Sequence, residues 1–265
     1  MRVETFTLIQ QIIDSMDCSI AITSIDVNGA FVTLNTRNTK WISYNYVITI
    51  NSVNYNVYSV TPNVSFTINT LDSINETSVL LNKPFFFHGT FSTQSAEMTM
   101  IDNENKFPFI YLNEPSNDVF YNSIEDARDR DSTCDLYFMT EANHPDWTNE
   151  QQHTFAITAM NNMFTAFIQP LPYLSFIGEF ETFNAETHVK WGVITTQGHS
   201  VKIFNDDLSG KKLNITIPFL KTDCDSATPY VSPTYGDLDL IINFNGTEYY
   251  NESISEDTTI NIVYT

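Results

Sequence analysis

The five histidines, His88, His144, His153, His188 and His199, are the first residues to weigh for chemistry. No two of them stand three or four positions apart, so no helix can offer two imidazoles to one metal ion. His88 follows three phenylalanines and precedes Gly89, which reads as a structural histidine at a strand end. A catalytic role there would need a nucleophile and an orienting acid, and neither is readable nearby. The three cysteines, Cys18, Cys134 and Cys224, are far apart and form no CxxC pair. They read as reduced, buried thiols of a chain assembled in a reducing compartment. Among 32 acidic residues, close pairs arise by number alone, so glycosidic acid–base chemistry is not legible. Asp206-Asp207 and Asp223-Cys224-Asp225 lack the regular spacing of a calcium loop and read as solvated turns. There is no GxGxxG, no P-loop, no GxSxG and no HExxH. No catalytic, cofactor-binding or metal-ligating residue is therefore assigned.

The elements that would position any such residue are mostly strands. Asn, Thr, Ile, Tyr and Phe are abundant, Gly numbers only 8, and aromatics make up 14% of 265 residues. β-branched and aromatic residues favour pleated sheet, and Asn favours turns. Twelve Lys+Arg against 32 Asp+Glu give a formal net charge of −20. Such acidity argues against non-specific nucleic-acid binding, which relies on cations to neutralise phosphates. No apolar run approaches the ~20 residues of a membrane span, and no signal-peptide pattern is visible at residues 1–16. The Asn-x-Ser/Thr triplets at Asn63, Asn75, Asn214, Asn245 and Asn251 are what this composition yields by chance.

Val3, Phe6, Ile9, Ile13 and Met16 recur at helical spacing and predict a helix over 3–16. Residues 19–70 read as short strands, with Asn28-Gly29 as a hairpin turn. Trp41–Ile50 reads as one strand, and Tyr55, Val57 and Ser59 share the face of the next. Further strands are predicted at 84–89, ending at Gly89, at 107–112 and at 133–140, the last with Cys134, Leu136 and Phe138 on one side. The acidic stretch 113–132 reads as an irregular surface loop. Thr148 and Gln151 have capping-box spacing ahead of a helix over 149–168, with Ala156, Met160, Met163 and Phe167 on one face and Pro170 and Pro172 beyond it. Strands return at 174–183, 187–196 and 213–220. A C-terminal hairpin or an edge addition is predicted from Leu238–Phe244, the Asn245-Gly246 turn and Ile260–Tyr264.

The expected fold is α+β and β-rich: an antiparallel sheet carrying an N-terminal helix and a long central helix, plus an inserted small β-barrel or sandwich. The expected segments are 1–18 (helix of the core), 19–75 (β insertion), 76–224 (α+β core) and 225–265 (C-terminal β extension).

The order Phe87-His88-Gly89-Thr90, FPFIYLNEP at 107–115, CDLYFMTEA at 134–142, the helix at 148–168, HVKWGV at 188–193 and LNITIPFL at 213–220 resembles tail-completion and tail-terminator proteins of tailed bacteriophages. The Asn/Thr/Ile bias is similar to that of neck and tail ring proteins of crAss-like podoviruses. The resemblance covers about half the chain and rests on order and texture. The 19–75 insertion and the extension after 225 depart from the minimal pattern. The resemblance implies a non-enzymatic structural virion protein of the neck or tail, assembled in the host cytoplasm, with no cofactor. Its partners would be copies of itself in a ring, a portal or adjacent ring, and tail proteins. DNA would be transiting cargo, with no membrane partner. A tail-fibre, receptor-binding or adhesion module is the alternative reading, and a carbohydrate hydrolase a third.

Overall fold

A computed structural model describes residues 4–90, 106–122, 127–179, 182–191, 193–196, 199–202, 207–221, 238–244 and 247–254. The chain parts into two units, Met1–Lys221 and Thr222–Thr265. The larger is α+β and β-rich.

Helix α1 (Thr5–Asp14) buries Leu8, Ile9, Ile12 and Ile13 on one face. Val3 lies outside the described residues. Phe6 is only partly covered. Sheet I follows, with β1 (Ser19–Asn28), β2 (Phe31–Thr36), β3 (Val47–Ile50), β4 (Val53–Thr61), β5 (Ser65–Asn69) and β6 (Ser78–Leu80) in the order β3-β4-β5-β2-β1-β6. Gly29 takes a φ of +63° in the β1–β2 turn, as an Asn-Gly hairpin requires. The sheet curls until its end strands β3 and β6 approach each other, giving a near-barrel. Two buried aromatics close the seam: the Trp41 indole N–H and the Tyr46 hydroxyl both donate to the Asn82 carbonyl, each at 3.3 Å.

Two details of sheet I differ from expectation. The predicted 41–50 strand begins only at Val47, because Lys40 and Asn45 adopt positive φ and fold Trp41–Tyr46 into turns. In β4 the pairing register shifts between Val57 and Ser59. Val60, not Ser59, therefore joins Tyr55 and Val57 in the core, and Tyr58 points outward.

Sheet II comprises β7 (Phe85–Gly89), β8 (Phe109–Phe120), β9 (Arg128–Glu141), β10 (Phe183–Trp191) and β13 (Leu208–Leu220), ordered β10-β13-β9-β8-β7. Its β7–β8 pair is parallel, so the sheet is mixed. Two short strands, β11 (Val193–Thr196) and β12 (His199–Lys202), form a separate pair. The 113–132 loop reading is overturned. β8 runs on to Phe120 and β9 starts at Arg128, paired across Asn117–Phe120. The acids there are offset by cations on the same hairpin: Arg130 lies 3.9 Å from Asp118 and 3.7 Å from Asp129, and Arg128 lies 3.5 Å from Asp131. The 174–183 strand is also corrected. After a 3₁₀ turn at Leu171–Tyr173, the described residues before β10 form only an isolated Ile177–Phe219 bridge.

The central helix α2 comprises Asn149–Gln152, a π turn at His153–Ile157 and Thr158–Ile168. The capping box is present: the Gln151 N–H donates to Thr148 Oγ1 at 3.3 Å, and the Thr148 N–H to Gln151 Oε1 at 2.9 Å. Ala156, Met160, Met163 and Phe167 are fully buried. Phe138 of β9 meets Phe164 and Phe167 edge-on, at 5.8 and 5.4 Å between centroids. The helix touches both sheets. Within the π turn the Phe155 carbonyl accepts the Tyr44 N–H at 3.4 Å, and Asn162 Nδ2 donates to the Lys40 carbonyl at 2.8 Å. Apolar residues of α1, sheet I, sheet II and α2 form one continuous core. A second cluster, with Phe87, Phe109, Tyr111, Tyr137 and Met139, lies on the other face of sheet II. Side chains of β8 and β9 are thus buried on both faces, which explains the unbroken apolar run Phe109–Leu112.

In the smaller unit β14 (Leu238–Phe244) pairs with β15 (Thr247–Ile254). The predicted second strand at 260–264 lies outside the described residues, and the hairpin closes instead with the nearer segment. Among the described residues, no helix is long and apolar enough to cross a membrane.

Candidate functional site

A buried polar grouping sits where β9 ends, α2 begins and β13 starts. The connector 142–148 is held in shape by its own polar residues. Asn143 Nδ2 donates to Asp146 Oδ2 at 2.8 Å, and the Asp146 N–H returns to Asn143 Oδ1 at 3.3 Å. The Ala142 N–H donates to the Asp207 carbonyl at 2.8 Å, fixing the connector against the entry to β13. Gln152, buried in the first turn of α2, donates through Nε2 to the Asn143 carbonyl at 3.3 Å.

Within this frame His144 lies between an acid and a hydroxyl. Its Nδ1 is 3.4 Å from Asp207 Oδ1 and its Nε2 is 3.2 Å from Ser209 Oγ. Ser209 Oγ also reaches Gln152 Oε1 at 3.2 Å and the Val189 carbonyl. That carbonyl falls in the irregular register of β10 between His188 and Trp191. Next to Ser209, a Cβ on Gly210 would fall 2.0 Å from the Phe138 carbonyl oxygen and 2.7 Å from the Met139 sulfur. Only glycine lets β13 lie this close to β9 and carry Ser209 into the cluster.

The atom order, carboxylate to Nδ1 and Nε2 to hydroxyl, is that of a Ser-His-Asp nucleophilic triad. Its surroundings are not. Ser209 has 0% exposure and the His144 side chain 7%. A reacting carbonyl must come within roughly 3–3.5 Å of the nucleophile, and the packed side chains and the Val189 carbonyl occupy that space. The arrangement can hold a proton and fasten three elements together; it does not present a nucleophile.

Sequence reasoning missed this cluster. In the sequence Asp207 stands out only beside Asp206, as a calcium candidate, and Ser209 belongs to no motif. His144 and Ser209 are 65 positions apart, so no local spacing signals them. Asp206 and the 223–225 group lie outside the described residues.

The remaining histidines are dispersed. His88 Nδ1 is 2.8 Å from Glu114 Oε1 at the end of β7, and its ring is stacked on Phe6. His153 is exposed on α2. His188 is partly buried on β10; burial lowers its pKa below the ordinary range although Glu186 Oε2 lies 3.7 Å from its Nε2. His199 falls in β12. Cys18 and Cys134 are both buried and unpaired in disulfides, and burial pushes the Cys134 thiol up to about 12. Cys224 lies outside the described residues. Among the described residues no three of His, Cys, Asp and Glu gather as a metal group.

Comparison with known proteins adds no relative: no family model, no curated protein and no solved structure matches this chain.

Proposed function

We propose that this chain is a non-catalytic structural subunit of the neck or tail of a tailed bacteriophage, assembling as a homo-oligomeric ring around transiting DNA. The observation that carries the reading is the asymmetry of sheet II. One border among the described residues is β10, a nine-residue strand paired with β13 and exposed from Phe183 to Thr187. The other border is the parallel strand β7. A ring built by rotation needs two unlike surfaces on each subunit, and a bordering strand is a surface to which a neighbour can add its own. The net charge of −20 supports the same reading. Acids facing a lumen would repel the phosphate backbone and let DNA pass without sticking.

A second reading, an adhesion or receptor-binding module, is favoured by one observation. On the outer face of sheet I, Phe31 and Tyr58 are exposed with ring centroids 5.0 Å apart, beside the uncharged Thr33–Thr67 pair. Light scattering and negative-stain imaging of the purified chain separate the two. Closed rings with a central pore support the connector. An elongated trimer moves the assignment to the adhesion module. A monomer that also fails to join portal complexes overturns the connector.

A further inference from the structure

We infer that the outer face of sheet I is a binding surface for a neutral glycan. The inference gives the adhesion reading above its ligand class and rests on that reading. The strand register lays the face out in rows. Asn28, Phe31 and Asn69 stand directly opposite one another across β1, β2 and β5, and all three are exposed. The next row is Asp26, Thr33, Thr67 and Ser59. Beyond it come Ser24, Asn35, Ser65 and Thr61. The alternate residues Val32, Leu34, Phe66 and Ile68 are buried, so the rows belong to the opposite side of the sheet. Four strands about 4.8 Å apart and three rows about 7 Å apart span about 14 Å each way, room for a short oligosaccharide.

The chemistry of the ligand follows from charge, rings and hydrogen bonds. Charged residues make up 17% of the chain, yet β1 to β5 hold a single one, Asp26. The Asn35 amide donates to its carboxylate at 2.6 Å. A phosphate or uronic acid meets no cation on these strands, so an anionic ligand gains no charge-assisted bond from them. The rings supply the apolar part of the surface. Strand β5 separates β2 from β4, and Phe31 and Tyr58 lean over it until their centroids are 5.0 Å apart, with planes at 45°. Phe31 is 38% exposed and Tyr58 58%. The electron-rich faces of such rings attract the C–H groups on the apolar side of a sugar. Beside them the Asn28 and Asn69 amides each carry donors and an acceptor, as a sugar hydroxyl does. Behind them the Thr33 and Thr67 hydroxyls lie 2.9 Å apart. This composition disfavours a second copy of the chain as the occupant. Protein interfaces are depleted of Ser and have apolar centres, whereas here two rings stand over rows of hydroxyls and amides.

The test probes the full chain on a printed array of neutral glycans beside sialylated and uronic-acid ones, then titrates the best neutral one. Binding is expected to the neutral glycans and not to the acidic ones. Phe31→Ala and Tyr58→Ala should each weaken it about tenfold. Val27→Ala should leave it unchanged, because Val27 is exposed but stands opposite buried Val32, off the rows. Should the ring variants fail to fold, backbone NMR of the wild-type chain with the glycan decides. Shifts centred on 24–35 and 58–69 support the inference, and shifts centred elsewhere overturn it. No binding to any neutral glycan, equal binding to acidic ones, or binding that neither ring variant weakens also overturns it. Self-association that Tyr58→Ala abolishes, without glycan binding, overturns it in favour of a second copy. Negative-stain images of the same preparation show rings or trimers whether or not glycan binds, so failure of the glycan inference and failure of the adhesion reading are separate results.

Discussion

Phe6 of the N-terminal helix lies nearly parallel to the imidazole of His88, with ring centroids 4.2 Å apart and planes inclined by 12°. The Nδ1 of the same imidazole lies 2.8 Å from Glu114 Oε1. Beside this stack Thr5 donates to Asp118 at 3.2 Å and meets Ser132 at 3.2 Å. The helix is thus fastened to sheet II by the Phe6–His88 stack and by two polar contacts of Thr5. Phe6→Ala is expected to cost about 1 kcal/mol through loss of the aromatic pair, and Thr5→Val a comparable amount by stranding a hydrogen-bond partner. Urea midpoints measure both, and unchanged midpoints would mean that the helix is held by its apolar face alone.

Gly210→Ala is expected to be more disruptive than the same change at Gly178. The added carbon would meet a backbone oxygen at 2.0 Å, which no rotamer change relieves. Overpacking costs about 1–3 kcal/mol and occasionally more, and β13 must pull away from β9 to accept it. Loss of soluble protein, or a fall in Tm of that order, is the expected result.

One partly buried histidine makes stability depend on pH. His188 has its pKa lowered by burial in the folded chain. The unfolded chain therefore binds the proton first, and stability is lost as pH falls below the ordinary histidine value near 6.5. His188→Gln should flatten the acid side of a plot of urea midpoint against pH. A slope identical to wild type between pH 7 and 5 would show that His188 does not contribute.

Cys134 is buried among apolar residues and its thiol is raised to about 12. Burial raises Cys18 as well. Since the thiolate is the reactive form, neither should be alkylated by iodoacetamide at pH 8 until denaturant is added. Peptide mapping by mass spectrometry reads this directly.

Ser209 is expected to resist fluorophosphonate probes in the native chain, because its hydroxyl is sealed. Ser209→Ala should lower stability by about 1–3 kcal/mol, the cost of leaving buried polar partners unpaired. Covalent labelling of Ser209 would instead make the hydrolase reading the stronger one.

The parts of the fold legible in the sequence were those with local causes. The apolar stripe of α1, the Asn28-Gly29 turn, the Thr148–Gln151 capping box and the buried face of α2 each depend on residues within one or two turns of one another. The misreadings had distant causes. Residues 113–132 looked like a loop because their acids were read without the partners that offset them; Asp118 lies 3.9 Å from Arg130 on the neighbouring strand. The parallel β7–β8 pairing and the shift after Val57 depend on which strand lies alongside, which composition does not state. The His144 cluster draws on a connector, a helix start and two strands, so it had no sequence signature at all.

The fastening of α1 also bears on how the chain is made. Thr5 finds its partners 113 and 127 residues later, at Asp118 and Ser132. At roughly 5–20 residues per second, a ribosome needs on the order of ten seconds to supply them. Throughout that interval Thr5 has neither partner. Conditions that slow translation between residues 14 and 132 lengthen the wait, and those that shorten it bring the helix to its partners sooner.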